Sequence, residues 1–129
     1  MKDKIRVLVV DDVTETRDNT RRLLSFAEDI QIVGEAANGE QALKKVEQLT
    51  PDIILMDVNM PIMDGITATE KISLNYPKAA VIIISVQGEP EYLKKAMKAG
   101  AREYLVKPFD TDELSNTIRR TYQLEQQRM

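Results

Sequence analysis

Apolar residues fall along this chain in short blocks separated by mixed segments of a different period. Ile5 to Val10, Ile53 to Met56 and Ala80 to Ile84 are almost continuously apolar and rich in Ile and Val. Runs of this length are too short for a typical helix and predict strands buried on both faces. Ile32 to Ala36 and Glu103 to Val106 are weaker runs that fill the remaining gaps, so five strands are expected. Between the strands, apolar residues recur at helical spacing: Leu23, Leu24 and Ala27, then Ala42, Leu43, Val46 and Leu49, then Leu93, Ala96 and Met97. Each set predicts a helix with one apolar face. Asn38 is placed to cap a helix with Gln41 at the third position, and Asp64 and Asp110 stand ahead of helical stretches. Gly100 suits a helix end, Tyr76-Pro77 stops the third helix, and Thr111 to Gln126 predicts the last one.

Strands buried on both sides and alternating with helices form a parallel sheet covered on either face. Right-handed crossovers select an α/β, doubly wound five-stranded parallel sheet of flavodoxin-like order 2-1-3-4-5, because a closed barrel typically needs about 250 residues. The chain has 129. That length suits a single domain spanning 1–129, with the polar segment 120–129 expected to begin a linker to an output domain.

Composition narrows the chemistry. With no Cys and no His, thiol catalysis, zinc sites of the usual kind and histidine-based triads are excluded, leaving carboxylates, hydroxyls and lysines. Eighteen Lys plus Arg against 21 Asp plus Glu leave a net charge of −3, which provides no general attraction to nucleic acid or anionic membranes. Apolar runs fall far short of the roughly 20 residues of a membrane helix, and Met1 leads into charge, so a cytoplasmic location is expected.

Ligands of an open parallel sheet bind at the carboxyl ends of its strands. The residues there are polar: Asp11 and Asp12 after strand one, Asp57 after strand three, Ser85 after strand four and Lys107 after strand five. Strand two is not expected to contribute. Three neighbouring carboxylates repel unless a cation lies among them, and an oxygen-only donor set favours Mg2+. A divalent cation and a lysine facing an ionised carboxylate suit phosphoryl transfer, in which catalysis is mainly positioning and charge stabilisation.

These residues, together with Met60-Pro61, Asp64-Gly65 and Lys107-Pro108, resemble the motifs of response-regulator receiver domains of two-component signalling, over essentially the whole chain. The resemblance implies that Asp57 is the phosphoacceptor and that Asp12, Asp57 and the backbone carbonyl of Asn59 hold Mg2+, with Asp11 acting mainly through water. Ser85 and Lys107 would bind the phosphoryl oxygens. Asn59 and Gln87 would tune the lifetime of the phosphorylated form, and Tyr104 would turn inward as Ser85 moves, altering the surface of helix four, strand five and helix five. Lys94, Lys95 and Lys98 would lend that surface positive charge. The implied donor is a histidine kinase or histidine phosphotransfer protein, and a homodimer through the altered surface is one output. Direct nucleic-acid binding by this domain and enzymatic turnover of an outside substrate are not implied. The similarity also favours a cis Lys107-Pro108 bond. Two positions depart from the common pattern: Ser85 stands where threonine is frequent, and Val86, where alanine is frequent, would narrow the approach to the acceptor.

Taken singly these residues have plainer explanations. Adjacent aspartates often start a helix, a strand-end serine usually bonds backbone, a lysine is usually solvated, and Tyr104 could be a half-buried aromatic with its hydroxyl in water. Their joint placement on one rim favours the functional reading. A phosphatase with an aspartate nucleophile would want Asp-x-Asp after strand one, which Asp11-Asp12 lack. A flavodoxin-like cofactor binder would want a glycine- or hydroxyl-rich loop there, and the Asp11 to Asp18 segment is acidic. A degenerate receiver serving only for docking or dimerisation is the remaining alternative.

Overall fold

The computed structural model describes residues 3–86 and 90–128. Five β/α units follow one another: β1 (Ile5–Val10), α1 (Thr14–Leu24), β2 (Ile30–Ala36), α2 (Gly39–Leu49), β3 (Ile53–Asp57), α3 (Gly65–Asn75), β4 (Ala80–Val86), α4 (Pro90–Ala99), β5 (Glu103–Lys107) and α5 (Thr111–Gln127). The strands pair in parallel in the order β2-β1-β3-β4-β5, the expected doubly wound arrangement.

Alternation along each strand divides the core in two. Val7, Val9, Ile53, Leu55, Ile82, Ile84 and Leu105 pack with Leu24 of α1 and Leu114 and Ile118 of α5. Leu8, Val10, Ile54, Met56, Val81 and Ile83 face the other way, onto Ala42 and Val46 of α2, Ala68 and Ile72 of α3, and Ala96 of α4. Because the central strands are apolar on both faces, the sheet is inaccessible except at its ends. Chemistry is thereby confined to the loops.

The caps fall where the sequence places them. Asn38, Asp64 and Asp110 accept hydrogen bonds from the backbone N–H of Gln41, Thr67 and Glu113, at 2.9, 2.8 and 2.8 Å. Gly100 follows α4 with φ 111°, a left-handed conformation that favours glycine. Other boundaries shift. β2 begins at Ile30, and Ala27 lies beyond α1, whose helical stretch starts at Thr14 in polar sequence that shows little apolar periodicity. β3 and β5 extend to end on Asp57 and Lys107, and β4 runs through Ser85 to Val86, so these polar residues belong to strands rather than begin loops. The polar turns after Arg119 continue as α5, with Thr121 buried and Glu125 paired to Arg102 at 3.0 Å. Among the described residues, no helix is long and apolar enough to cross a membrane.

Candidate phosphoacceptor site

Parallel pairing brings the carboxyl ends of β1, β3, β4 and β5 side by side, and each supplies a polar group there. Asp11 and Asp12 follow β1 and Asp57 closes β3, and one carboxylate oxygen from each lies within 4.8 Å of the others. Asp11 is buried, Asp57 half-buried and Asp12 exposed, so the cluster opens to solvent on one side. Lys107 closes β5, and its Nζ lies 3.6 Å from Asp11 Oδ2. The Lys107-Pro108 bond is cis.

The electrostatics follow from this crowding. Burial, then the neighbouring Asp11 charge, push the Asp57 carboxyl from its ordinary 3.8 up to about 6, and Lys107 offsets part of the rise. Removing water and adding like charge both disfavour the ionised form. A cation among the oxygens reverses that preference. The donor set fits such a cation: three hard carboxylates converge, and the chain has no imidazole or thiol to select a softer metal.

The loop behind Asp57 is held by glycine. Gly65 N–H donates to Val58 O at 2.9 Å, and a Cβ at Gly65 would lie only 1.9 Å from the carbonyl oxygen of Asp57. Any side chain there would displace the end of β3. Asn59, next after Val58, is exposed on the same loop. Gln87 lies outside the described residues.

Ser85 is 3% exposed on β4, and its Oγ is 2.8 Å from the Tyr104 hydroxyl on β5. The tyrosine hydroxyl is thus joined to Ser85, and its ring packs against the α2/α3/α4 side of the core. Val86, 60% exposed, follows at the strand end. On α4, Lys95 Nζ stands 6.0 Å from the centre of the Tyr92 ring.

One group was not legible in the sequence. Arg17 of α1 donates through one terminal nitrogen to the backbone carbonyl of Asp11 and through Nε to Glu35 of β2 at 3.1 Å. β2 places no side chain in the carboxylate cluster, yet it reaches the site through this pair. Arg17 and Glu35 are far apart in sequence, and only the β1/β2 pairing brings them together.

Comparison with known proteins agrees with this architecture. The family model described as the response regulator receiver domain matches residues 7–119. The transcriptional regulatory protein DegU of Brevibacillus brevis is 33% identical over 118 residues, 92% of this chain and 50% of that protein. The response regulator GacA of Pseudomonas viridiflava is 39% identical over 115 residues, 89% of this chain and 54% of that protein. This chain therefore spans about half the length of these curated relatives. Among solved structures, a CheY-like receiver domain protein from Methanospirillum hungatei superposes with a TM-score of 0.89 at 27% identity, covering 99% of this chain and 100% of that one. The receiver domain of the NarL regulator of Mycobacterium tuberculosis gives 0.90 at 30% identity, covering 95% and 98%.

The fold, a parallel sheet with an acidic cluster at its carboxyl edge, is that of a signalling switch, and the chain belongs to the response-regulator receiver family. Operation by phosphorylation is the general function of that family, and its members bind Mg2+ at the acidic cluster.

Proposed function

We propose that this chain is a phosphorylation-operated switch of a two-component system in which Asp57 accepts a phosphoryl group from a phosphohistidine of a histidine kinase or phosphotransfer protein. The observation that carries the reading is the convergence of Asp11, Asp12 and Asp57, with Lys107 beside them, at the carboxyl edge of the sheet. Asp12, Asp57 and the Asn59 carbonyl would hold Mg2+, with Asp11 acting through water, and the ion would supply positive charge opposite the transferred phosphoryl oxygens. An oxygen of ionised Asp57 attacks phosphorus in line as the phosphorus–nitrogen bond of the donor breaks, its electron pair remaining with the imidazole. Lys107 and the Ser85 hydroxyl bind the transferred oxygens. The product is an acyl phosphate on this chain's own side chain, so the protein is a switch and not a turnover enzyme. Hydrolysis resets it, and Asn59 and Gln87 would tune the lifetime of the phosphorylated form.

Ser85 gives the switch its readout. Its hydroxyl is shared with Tyr104, and phosphoryl oxygens compete for it. Redirecting Ser85 alters the Tyr104 contact and hence the surface of α4, β5 and α5, where a second copy or an output domain binds. We place the switch in the cytoplasm, without membrane insertion and without direct nucleic-acid contact by this domain.

Incubation with Mg2+ and a small acyl-phosphate donor is expected to add one phosphoryl group, read as a single mass increment, and Asp57→Ala is expected to abolish it. Equal labelling of both proteins overturns the assignment. No labelling of the wild type favours a module that only docks or dimerises.

A further inference from the structure

We propose that Arg17 is a positioning residue for the acidic site, coupling β2 to the Asp11-Asp12 loop through a clamp completed by Glu35. The inference rests on the phosphoacceptor reading and adds a second layer to it.

The start of α1 lacks the usual restraint. Its N-cap is Val13, which has no side chain able to accept a hydrogen bond, so the turn carrying both aspartates is not fixed by a cap of the Ser, Thr, Asp or Asn kind. Other bonds hold it. Asp11 N–H donates to Ala36 O of β2 at 3.0 Å, extending the strand ladder by one residue. The Asp11 carbonyl accepts from the Arg17 guanidinium, which reaches back from the first turns of the helix. Asp11 Oδ1 accepts from Val13 N–H at 2.9 Å, which closes a tight turn around Asp12.

Both backbone groups of Asp11 are therefore tied to β2, the amide directly and the carbonyl through Arg17. Asp12, exposed and in the middle of the turn, takes its direction from these neighbours.

The guanidinium is itself held. Arg17 Nε donates to Glu35 Oε1 at 3.1 Å, another terminal nitrogen donates to Thr14 Oγ1 at 3.2 Å, and the Arg17 side chain is only 15% exposed. A planar fork able to serve three acceptors at once suits arginine, whereas lysine would serve them only in part. Arg21 also contacts Glu35 but makes no bond to Asp11, and its side chain is 50% exposed. Arg21 therefore separates the role of the clamp from that of surface charge. Groups that orient metal ligands from behind typically change metal affinity by about 10–100-fold when removed.

The test measures Mg2+ half-saturation by chemical-shift titration of the folded proteins, with thermal melts in chelator and acyl-phosphate labelling alongside. Arg17→Met is expected to raise the half-saturation concentration about tenfold, Glu35→Gln about threefold and Arg21→Met less than about twofold, with Arg17→Lys between the first and the last. Labelling rates at sub-saturating Mg2+ should fall in the same order, because misplaced ligands weaken the metal site on which the reaction depends. Should Arg17→Met fail to fold, Glu35→Gln carries the test, since it keeps the side-chain shape. Unchanged half-saturation in these clamp variants while the wild type binds Mg2+ and labels on Asp57 overturns the inference and leaves the phosphoacceptor reading intact. An equal rise in Arg21→Met also overturns it. A wild type that neither binds nor labels overturns both.

Discussion

At the scale of single residues, the informative group is Asp57, whose environment opposes the charge that the proposed phosphotransfer needs. Burial, then Asp11, raise it from 3.8 to about 6, so the folded chain binds its proton more tightly than the unfolded chain does. Between those values the folded state holds more protons, and stability falls as pH rises through the window. Above about pH 6 the penalty is fully present. In chelator at about pH 7.5, Asp57→Asn is expected to be more stable than wild type by about 1–2 kcal/mol, a figure reduced for solvent screening of a half-exposed group. The gap should close towards about pH 4 in paired thermal melts. A gap that widens on acidification would show that crowding does not govern Asp57. Ser85 and Tyr104 illustrate a different limit: each is an ordinary strand residue by type, and only the β4/β5 register, with Ser85 opposite Val106, brings their hydroxyls together.

At the scale of elements, the β3–α3 connection decides where Asp57 sits. Asp64 caps α3 through Thr67, while the adjacent Gly65 lets the helix start pass against the Asp57 carbonyl. The two residues therefore have separable effects. Asp64→Ala should cost about 1 kcal/mol, the usual loss for a cap, and leave Mg2+-dependent labelling within about twofold. Gly65→Ala should cost about 3 kcal/mol and slow labelling at least about tenfold, because its Cβ would force Asp57 and the backbone apart. Melting and labelling of the two variants in parallel decide the matter, and a Gly65→Ala protein that behaves as wild type refutes the crowding argument. The element hardest to read was α1. Its polar sequence conceals the helix start, and the apolar residues Leu23, Leu24 and Ala27 that announce it straddle its end.

At the scale of the whole molecule, the site is a seam between strands, so a ligand there stabilises the fold as a unit. Mg2+ at ten times its dissociation constant should add about 1.4 kcal/mol, raising the melting temperature by about 5 °C in a domain of this size. The shift should vanish in chelator and shrink sharply in Asp12→Asn. An equal shift in that variant would place the ion elsewhere. Local patterning accounts for the five β/α units and the two-sided core, because period and composition persist whatever the neighbours. It also determined which polar residues end the strands, and hence the members of the acidic cluster, since a parallel sheet presents its carboxyl ends together. The meeting of Ser85 with Tyr104, the approach of Gly65 to Asp57 and the bridge from Asp11 through Arg17 to Glu35 arise from packing alone. Those contacts depend on strand register and on the direction of side chains across elements. No local pattern encodes either, because each partner taken alone is equally compatible with solvent.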